Sequence, residues 1–420
     1  MVLRLFDTLK ERTQAFSPPP DAPVRIYVCG PTVYAPSHVG HARNYLLFDG
    51  LRRFLESSGH RVRLVENITD FEEKISRRAR ELGLPWRVLA RREERDFLHL
   101  MDRIRVRPSE HQPRSSDFVP EMVRLIRWLE RRQMAYRRGG SVYLRARAVD
   151  GGENFPAAEL LSDHSVPDAA GSDLPEADDP LDFALWKPPE PGGPVWSSPW
   201  GRGVPGWHIE CFVMAQRYLR TPVDLHGGGL DLIFPHHYAE NLLSYAVTGR
   251  VFSRRFVHGG FVTMGEVKMS KSLGNLVPLS QALEELSPEG LRWYLWTAAP
   301  YREKLEYDPR RAQQAQRRFE EVRQRITPLG RAGDGDVPAR SLERLLGKVR
   351  ARIGSELDFG GALEGLTEGA EELAGTGRPG IRRGEAPRAR RALLGLSELT
   401  GIPWLGPTRA AGKGRASRGS

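Results

Sequence analysis

Cysteine is nearly absent from this chain of 420 residues, which contains only Cys29 and Cys211. Two cysteines so far apart in sequence do not suggest a disulfide framework, so a reducing compartment is the simpler expectation. The chain also lacks any run of about 18 apolar residues, the length that a membrane-spanning helix needs. The amino-terminal segment MVLRLFDTLKERTQ has charges inside its apolar stretch and is unlike a signal peptide. We therefore expect a cytoplasmic protein with no membrane segment.

Acidic residues are too few to balance the basic ones. The chain has 63 Lys and Arg against 53 Asp and Glu, which gives a net charge of +10 and a pI near 9.8. This excess favours a polyanionic partner such as nucleic acid, although an arginine-rich proteome would produce the same balance. Hydrophobic residues make up 40% of the chain, enough for buried cores, and the length predicts about two to four domains.

Residues 24–110 alternate short apolar runs with helical periodicity. The stretches VRIYVCG and RVRLVENITD predict strands, and NYLLFDGLRRFLESSG between them predicts a helix that Gly59 ends. This order of strand, helix and strand is typical of a parallel sheet. The sequence therefore indicates an α/β fold.

The rest of the chain falls into three kinds of segment. Residues 116–135 predict an amphipathic helix and GGSVYLRA a strand, whereas residues 151–205, rich in Pro, Gly and Asp, predict a long insertion with little regular structure. Strand patterns return at TPVDLHGGG and RFVHGGFVTM. From residue 281 onward the periodicity is helical, with a linker at 328–340 and two weaker helices near 341–354 and 361–374.

A histidine motif stands between the first predicted strand and helix. In His38-Val39-Gly40-His41, two imidazoles flank a glycine at the position where α/β proteins bind phosphates on a helix amino terminus. Gly40 would let a ligand approach the backbone, and the histidines could donate hydrogen bonds to an anion. A polar turn with capping histidines explains the same stretch.

A second motif, VKMSKSLGN, places Lys268 and Lys271 among small hydroxyl residues before a glycine. A cationic loop of this kind suits a reaction in which negative charge grows on phosphates and is then released. Two lysines three residues apart are also common on protein surfaces, so the pair alone is weak evidence.

Several blocks of the chain resemble one family. HVGH at 38–41 and KMSKS at 268–272 resemble the signature pair of class I aminoacyl-tRNA synthetases. The blocks CGPTVY, DPLDFALWK, SPWGRGVPGWHIEC, LHGGGLDLIFPHH and KMSKSLGN stand in the order typical of cysteinyl-tRNA synthetases, and they cover roughly residues 24–310. The chain therefore resembles the cysteinyl-tRNA synthetase family.

The resemblance implies a Rossmann-like parallel-sheet nucleotide-binding catalytic domain with an insertion, followed by an α-helical domain. In this interpretation the chain divides into a first catalytic half (1–110), a connective insertion (111–205), a second catalytic half (206–258), a signature-loop and stem-contact region (259–310), a helical bundle (311–405) and a disordered basic tail (406–420).

The implied activity is ATP-dependent conversion of L-cysteine to cysteinyl adenylate and its transfer to tRNA(Cys), with Mg²⁺ accompanying ATP. By resemblance, His38 and His41 contact the phosphates, while Lys271, assisted by Lys268, steadies the leaving pyrophosphate. The remaining implied residues are Gly40, Gly227, Gly228, Gly229 and Asp231 for ATP, and Thr69, Trp207 and His226 for the amino acid. Core packing is the alternative role for Trp207. We expect a monomer.

The resemblance also assigns a role to the two cysteines. Cys29, Cys211, His236 and Glu240 match the family's zinc ligands, which implies one Zn²⁺ per chain. His236 and Glu240 are four residues apart, so they would share a face of a helix. Spacing alone is weak evidence, because two buried apolar cysteines would give the same sequence.

The chain departs from the family pattern at Ala35, Phe212 and Tyr238, which puts the identity of the amino acid in doubt. It also ends soon after GIPWLG, so we expect no compact anticodon-reading domain. The alternative is therefore a ligase that joins cysteine to a small-molecule amine, as the related ligase of mycothiol synthesis does. A weaker alternative is a non-catalytic RNA-binding paralogue, against which the intact histidines and lysines argue.

Overall fold

The computed structural model describes residues 2–149, 176–265, 267–268, 276–330, 335–375, 378 and 380–405, with only the backbone for 267–268. Lys271 and the predicted tail 406–420 lie outside the described residues. The strands are β1 Leu3–Asp7, β2 Arg12–Phe16, β3 Val24–Val28, β4 Val62–Glu66, β5 Ala135–Arg138, β6 Ser141–Leu144, β7 Phe183–Lys187, β8 Trp196–Ser198, β9 Gly201–Pro205, β10 Leu225–Gly229, β11 Phe256–Gly259, β12 Val262–Met264, β13 Val267–Lys268 and β14 Leu305–Glu306. The helices are α1 Val39–Ser57, α2 Glu73–Glu81, α3 Trp86–Arg103, α4 Val119–Arg131, α5 Trp207–Tyr218, α6 Tyr238–Thr248, α7 Leu279–Glu285, α8 Pro288–Thr297, α9 Pro309–Ile326, α10 Ala339–Gly354, α11 Phe359–Ala374 and α12 Ala386–Thr400.

A four-stranded parallel sheet forms the centre of the catalytic region. Its strand order is β11-β10-β3-β4, and every neighbouring pair is parallel. Strand β3 is the apolar run VRIYV, and Ile26, Tyr27 and Val28 are wholly buried because the sheet is covered on both faces. The α/β class and the parallel sheet predicted from the sequence are confirmed.

Helix α1 connects β3 to β4 and lies against the sheet. Its apolar positions are buried along nearly its whole length, and it ends at Ser57, two residues before Gly59, whose φ of +88° suits a residue without a side chain. Phe48 of α1 packs so closely on β10 that a Cβ at Gly227 would lie 2.2 Å from its ring. The glycine is therefore required by the contact between helix and sheet.

The insertion has more regular structure than the sequence indicates. Strands β5 to β9 form a second sheet, antiparallel at every pair, in the order β5-β6-β7-β9-β8. The prediction of little regular structure over 151–205 is therefore wrong for 183–205, whereas 150–175 lie outside the described residues. The strands of this segment stand among Pro, Gly and Asp residues, a composition that predicts loops, and β7 depends on pairing with the distant β6.

The carboxyl-terminal third is helical, as predicted. Helices α9, α10 and α11 match the predicted segments, whereas the stretch from 281 to 299 is divided into α7 and α8 at Ser287, whose side chain accepts a hydrogen bond from the Gly290 amide. Helix α12 is an addition that the sequence analysis did not predict. It ends at Gly401, whose φ of +69° provides the left-handed terminus. None of the helices in the described ranges has the length and apolar character needed to cross a membrane.

A buried ionic cluster joins the helical region to the parallel sheet's main helix. Asp49 of α1 accepts 2.7 Å hydrogen bonds from Arg53 in the same helix and from Arg292 of α8. The two guanidinium groups also bind backbone carbonyls of the loop after α3 and of the end of α12, including Arg105 and Glu398. Burial alone would raise the pKa of Asp49, but the two arginines outweigh it and the net pKa lies below the ordinary value of 3.8.

We expect Asp49→Asn to lower the free energy of unfolding by about 3–5 kcal/mol, because it leaves two guanidinium groups buried without a counter-charge. A carboxyl group with a depressed folded-state pKa stabilises the fold above its unfolded pKa, and this contribution is lost as the pH falls through the folded value. The difference in the free energy of unfolding between wild type and variant should therefore be constant from pH 6 to 8 and shrink below about pH 4. Denaturant unfolding across this pH range measures the difference.

Asp102→Asn, at an exposed position of α3, is the control, with an expected change within about 0.5 kcal/mol. An equal loss in both variants would contradict the role of the cluster.

Candidate metal centre and nucleotide site

The predicted metal ligands converge from three separate segments. Cys29 directly follows β3, Cys211 lies in α5, and Glu240 lies in the first turn of α6. His236 lies in the π-helical turn Ile233–His237, which continues directly into α6, so His236 and Glu240 stand four residues apart on one helical segment, as their spacing predicts. Nε2 of His236 lies 3.4 Å from Oε1 of Glu240.

The four side chains form a compact and buried set of metal-binding atoms. The Cys29 sulfur lies 3.9 Å from the Cys211 sulfur and 3.8 Å from Oε1 of Glu240. One ligand atom from each of Cys29, Cys211, His236 and Glu240 lies within 4.8 Å of all the others, and none of these residues is more than 5% exposed. This arrangement could hold a metal ion.

Burial determines the protonation of these groups. It raises the pKa of the Cys29 thiol well above its ordinary value and also raises that of Cys211, while it lowers the pKa of His236 well below 6.5. The imidazole is therefore neutral and has a free electron pair for a metal. The thiols would have to release protons on metal binding, so binding and deprotonation are coupled.

A second set, Cys29, His226, His237 and Glu240, also brings ligand atoms within 4.8 Å of one another. In this set both nitrogens of His226 already have partners, the Tyr27 carbonyl at 2.9 Å and Oε2 of Glu240 at 2.8 Å. Nε2 of His236, in contrast, is buried without a hydrogen-bond partner among the described residues. A buried nitrogen of this kind is costly unless something binds it. The set with Cys211 and His236 therefore fits a metal ion better.

Several residues outside the predicted ligand set surround it, and His258 and Thr8 among them were not predicted. His237 places Nε2 3.4 Å from the Cys29 sulfur, and its Nδ1 lies 2.7 Å from Nε2 of His258, which in turn contacts Thr8 at 2.9 Å. Burial lowers the pKa of His258 to about 3. Outer contacts of this kind orient ligand side chains. The sequence offered one signal, since LHGGG and VHGGF repeat the tripeptide HGG at the ends of adjacent parallel strands.

Asn67 is a further residue that the sequence analysis missed. It is wholly buried after β4, and its side-chain oxygen accepts a hydrogen bond from the Gly30 amide at 2.9 Å and lies 3.6 Å from the Cys211 sulfur. Its side-chain nitrogen donates to the Thr69 hydroxyl at 3.1 Å. The predicted substrate residue Thr69 is therefore connected to the metal set through one amide. Trp207, the other predicted pocket residue, stacks on His236 with ring centroids 4.3 Å apart.

The histidine motif forms the start of α1. His38 is the residue before the helix, and its Nδ1 accepts a hydrogen bond from the Gly40 amide at 3.1 Å. The rings of His38 and His41 stack with centroids 3.9 Å apart, and the first turn has no acidic residue. A Cβ at Gly40 would lie 2.9 Å from the His38 ring, so a larger residue there would displace the folded-back imidazole. The helix amino terminus thus presents positive potential beside two imidazoles.

The glycine-rich strand β10 ends next to this helix. Gly227 packs under Phe48 of α1, and a Cβ at Gly228 or Gly229 would lie within 2.6 Å of Leu232 or Asp231. Asp231 is exposed in the turn after β10. Lys268 belongs to β13, of which only the backbone is described, and Lys271 lies outside the described residues.

Comparison with known proteins identifies the relatives of this chain. Residues 15–317 match the family "tRNA synthetases class I (C) catalytic domain". Cysteine--tRNA ligase of Aeropyrum pernix is 40% identical over 384 residues, which is 87% of this chain and 79% of that protein. The enzyme of the same name from Desulforudis audaxviator is 40% identical over 375 residues, 86% of this chain and 77% of that protein.

Solved structures agree on the fold. The methionyl-tRNA synthetase of Mycobacterium tuberculosis, bound by methionyl-adenylate, superposes with a TM-score of 0.62 at 18% identity and covers 90% of this chain and 92% of its own. At this identity the likeness shows the class I synthetase fold alone, which confirms the predicted architecture. By its sequence matches and its fold, the chain belongs to the cysteinyl-tRNA synthetase family of class I aminoacyl-tRNA synthetases.

Proposed function

We propose that this protein activates L-cysteine with ATP to cysteinyl adenylate and transfers the cysteinyl group to tRNA(Cys), as a monomer in the cytoplasm. The observation that supports the proposal most strongly is the buried set Cys29, Cys211, His236 and Glu240, found in a chain 40% identical to proteins named Cysteine--tRNA ligase. The names of these relatives favour tRNA as the acceptor over a small-molecule amine.

The metal proposed for this set is a single Zn²⁺. Two thiolates, one imidazole and one carboxylate are a donor set typical of zinc. Two sulfur atoms bound about 2.3 Å from a tetrahedral zinc ion are about 3.8 Å apart, close to the 3.9 Å between Cys29 and Cys211. Zinc would bind the sulfur of the cysteine substrate as a thiolate. Serine has a neutral hydroxyl in place of the thiol, which is a poorer ligand for zinc.

Side chains around the metal set would add to the selectivity for cysteine. His226 holds one oxygen of Glu240 at 2.8 Å, so the carboxyl group has a fixed orientation. Trp207 stacks on His236 and, together with Thr69, would enclose a small amino acid. A buried site that fits cysteine leaves its groups unsatisfied when serine binds. We therefore propose that the protein discriminates against serine at the binding step.

Adenylation is an in-line attack by the cysteine carboxylate on the α-phosphorus of ATP, with pyrophosphate as the leaving group. Here the proposed work of the protein is positioning and charge stabilisation. His38, His41 and the amino terminus of α1 contact the phosphates, while Lys268 and Lys271 neutralise the charge that develops on pyrophosphate. Asp231 is proposed to bind the ribose, beside the strand formed by Gly227, Gly228 and Gly229. Mg²⁺ accompanies ATP.

ATP–pyrophosphate exchange tests the activation step. We expect zinc-loaded protein to exchange label only when cysteine is present, with serine at least 10⁴-fold less effective, because serine leaves the site's thiol-binding group unsatisfied. Exchange of equal rate with both amino acids would contradict the proposed selectivity, and absence of exchange would contradict catalysis.

The acceptor is tested with the adenylate formed on the protein. Addition of tRNA(Cys) should discharge the adenylate and yield an ester-linked cysteinyl-tRNA. A panel of amino sugars and other amines, added separately, is the matched comparison. If an amine is consumed while tRNA is never esterified, the protein is a cysteine ligase of the alternative kind.

Substitutions at the two neighbouring histidines distinguish the two possible ligand sets. We expect His236→Asn to reduce bound zinc from about one equivalent to well below it, since it removes the nitrogen that has no hydrogen-bond partner in the described part of the chain. His237→Asn should retain zinc with at most about 10- to 100-fold weaker affinity, the effect typical of an outer contact. Elemental analysis and competition with a chelator measure both. Zinc retained in His236→Asn but lost in His237→Asn would favour the set with His226.

A further inference from the structure

The proposed mechanism needs the histidine motif and the lysine motif to act on the same ATP molecule, although they are distant in sequence. The described residues just before and just after the lysine motif contact the first turns of α1 or the residues that precede it. On the carboxyl-terminal side the contact is made by the backbone. The amide of Val39 donates to the Val277 carbonyl at 3.1 Å, and the amide of Leu279 donates to the Ser37 carbonyl at 2.8 Å.

On the amino-terminal side the hydrogen bonds found among the described residues come from the side chain of Arg43. It lies two residues after His41 in α1 and is only 5% exposed. Its Nη1 donates to the carbonyls of Gly260 and Phe261 at 3.1 and 3.0 Å, and its Nη2 donates to the Pro300 carbonyl at 2.8 Å. One guanidinium group thus joins α1 to two other segments of backbone.

The segment held by Arg43 leads directly into the lysine motif. Phe261 is followed by β12, and Thr263 of β12 pairs with Lys268 of β13. The Phe261 carbonyl also accepts a 2.8 Å hydrogen bond from the Leu305 amide, and Tyr307 donates in the same way to Thr263. The Phe261 carbonyl is therefore shared between Arg43 of α1 and the start of β14, next to the strand β12 that pairs with β13.

A neutral residue or a lysine cannot take the place of this arginine. Arg43 makes no ion pair within the described part of the chain, so its charge is balanced by carbonyl dipoles and by the more distant Glu303. Burial lowers its pKa to about 10, which leaves it protonated at neutral pH. A planar guanidinium binds several carbonyls at once, whereas an ammonium is a point charge on a flexible stem.

We propose that Arg43 is a positioning residue for adenylation: it holds the start of strand β12, which pairs with Lys268 on β13, against the helix that carries His41 and follows His38. This inference rests on the proposed function, because it assigns the relation between the two phosphate-contacting motifs. Arg43 itself contacts neither substrate nor reacting atoms.

The test compares Arg43→Lys with Arg53→Lys. Arg53 is the matched control because it belongs to the same helix, is 7% exposed and also binds backbone carbonyls, but those of Glu398 and Arg105. Both variants should lower Tm. Only Arg43→Lys should lower kcat of cysteine-dependent exchange, on the order of 100-fold, while KM for cysteine and zinc content stay at wild-type values.

A double-mutant cycle with Lys268→Ala separates positioning from general destabilisation. If Arg43 acts through Lys268, the further loss of kcat caused by Lys268→Ala should be smaller by about threefold or more in the Arg43→Lys background than in the wild type. The same cycle built on Arg53→Lys should be multiplicative. Multiplicative losses in both cycles, or a kcat of Arg43→Lys within about threefold of wild type, would overturn the proposal.

Hydrogen exchange provides a readout that does not depend on activity. The amides of Leu305 and Tyr307, which donate to Phe261 and Thr263, should exchange faster in Arg43→Lys than in Arg53→Lys. If the wild type shows no ATP–pyrophosphate exchange, the proposed function is contradicted. The hydrogen-exchange measurement still decides whether Arg43 holds β12. Unchanged protection at both amides would overturn the inference.

Discussion

The carboxyl group of Glu240 is the point at which the proposed centre is assembled. One oxygen faces Cys29 at 3.8 Å and His236 at 3.4 Å, while the other is held by His226 at 2.8 Å. The group is wholly buried, and beside it lies a nitrogen of His236 that has no hydrogen-bond partner among the described residues. So many polar atoms in an apolar surrounding are costly unless a cation satisfies them. The cluster is therefore better explained as a metal site than as two buried apolar cysteines beside a buried ion pair.

The parallel sheet explains why residues so distant in sequence meet. In parallel strands the carboxyl ends lie at one edge, and Cys29, Asn67 and the glycines of β10 all stand at that edge. Helix α1 begins at the same edge, which places His38 and His41 at its amino terminus. One sheet edge thus collects the thiol, the imidazoles and the helix terminus, and the comparison with class I synthetases of known structure shows the same fold.

Much of this arrangement could be predicted from the sequence, and the limits have physical causes. Strands β3 and β4 and helix α1 are confirmed because apolar runs mark each of them in the sequence. Strands β7 to β9, of similar length, were missed because they stand in a stretch rich in Pro, Gly and Asp, which predicts loops. His236 and Glu240 meet as their spacing predicts, because the π-helical turn that contains His236 continues directly into α6. The spacing could not predict that this turn is π-helical and begins after a non-helical residue, Phe234.

The role of a glycine is also hard to predict from the sequence alone. The sequence suggested that Gly40 admits a ligand to the backbone, yet a Cβ there would first meet the ring of His38. Likewise, Gly227 is required by Phe48 of α1 whether or not a nucleotide is bound. A glycine in a nucleotide motif can thus be fixed by the packing that shapes the site. Ala at either position would disturb α1, and because Arg43 and the Val39 amide hold both flanks of the lysine motif to that helix, the disturbance would reach both phosphate-binding elements together.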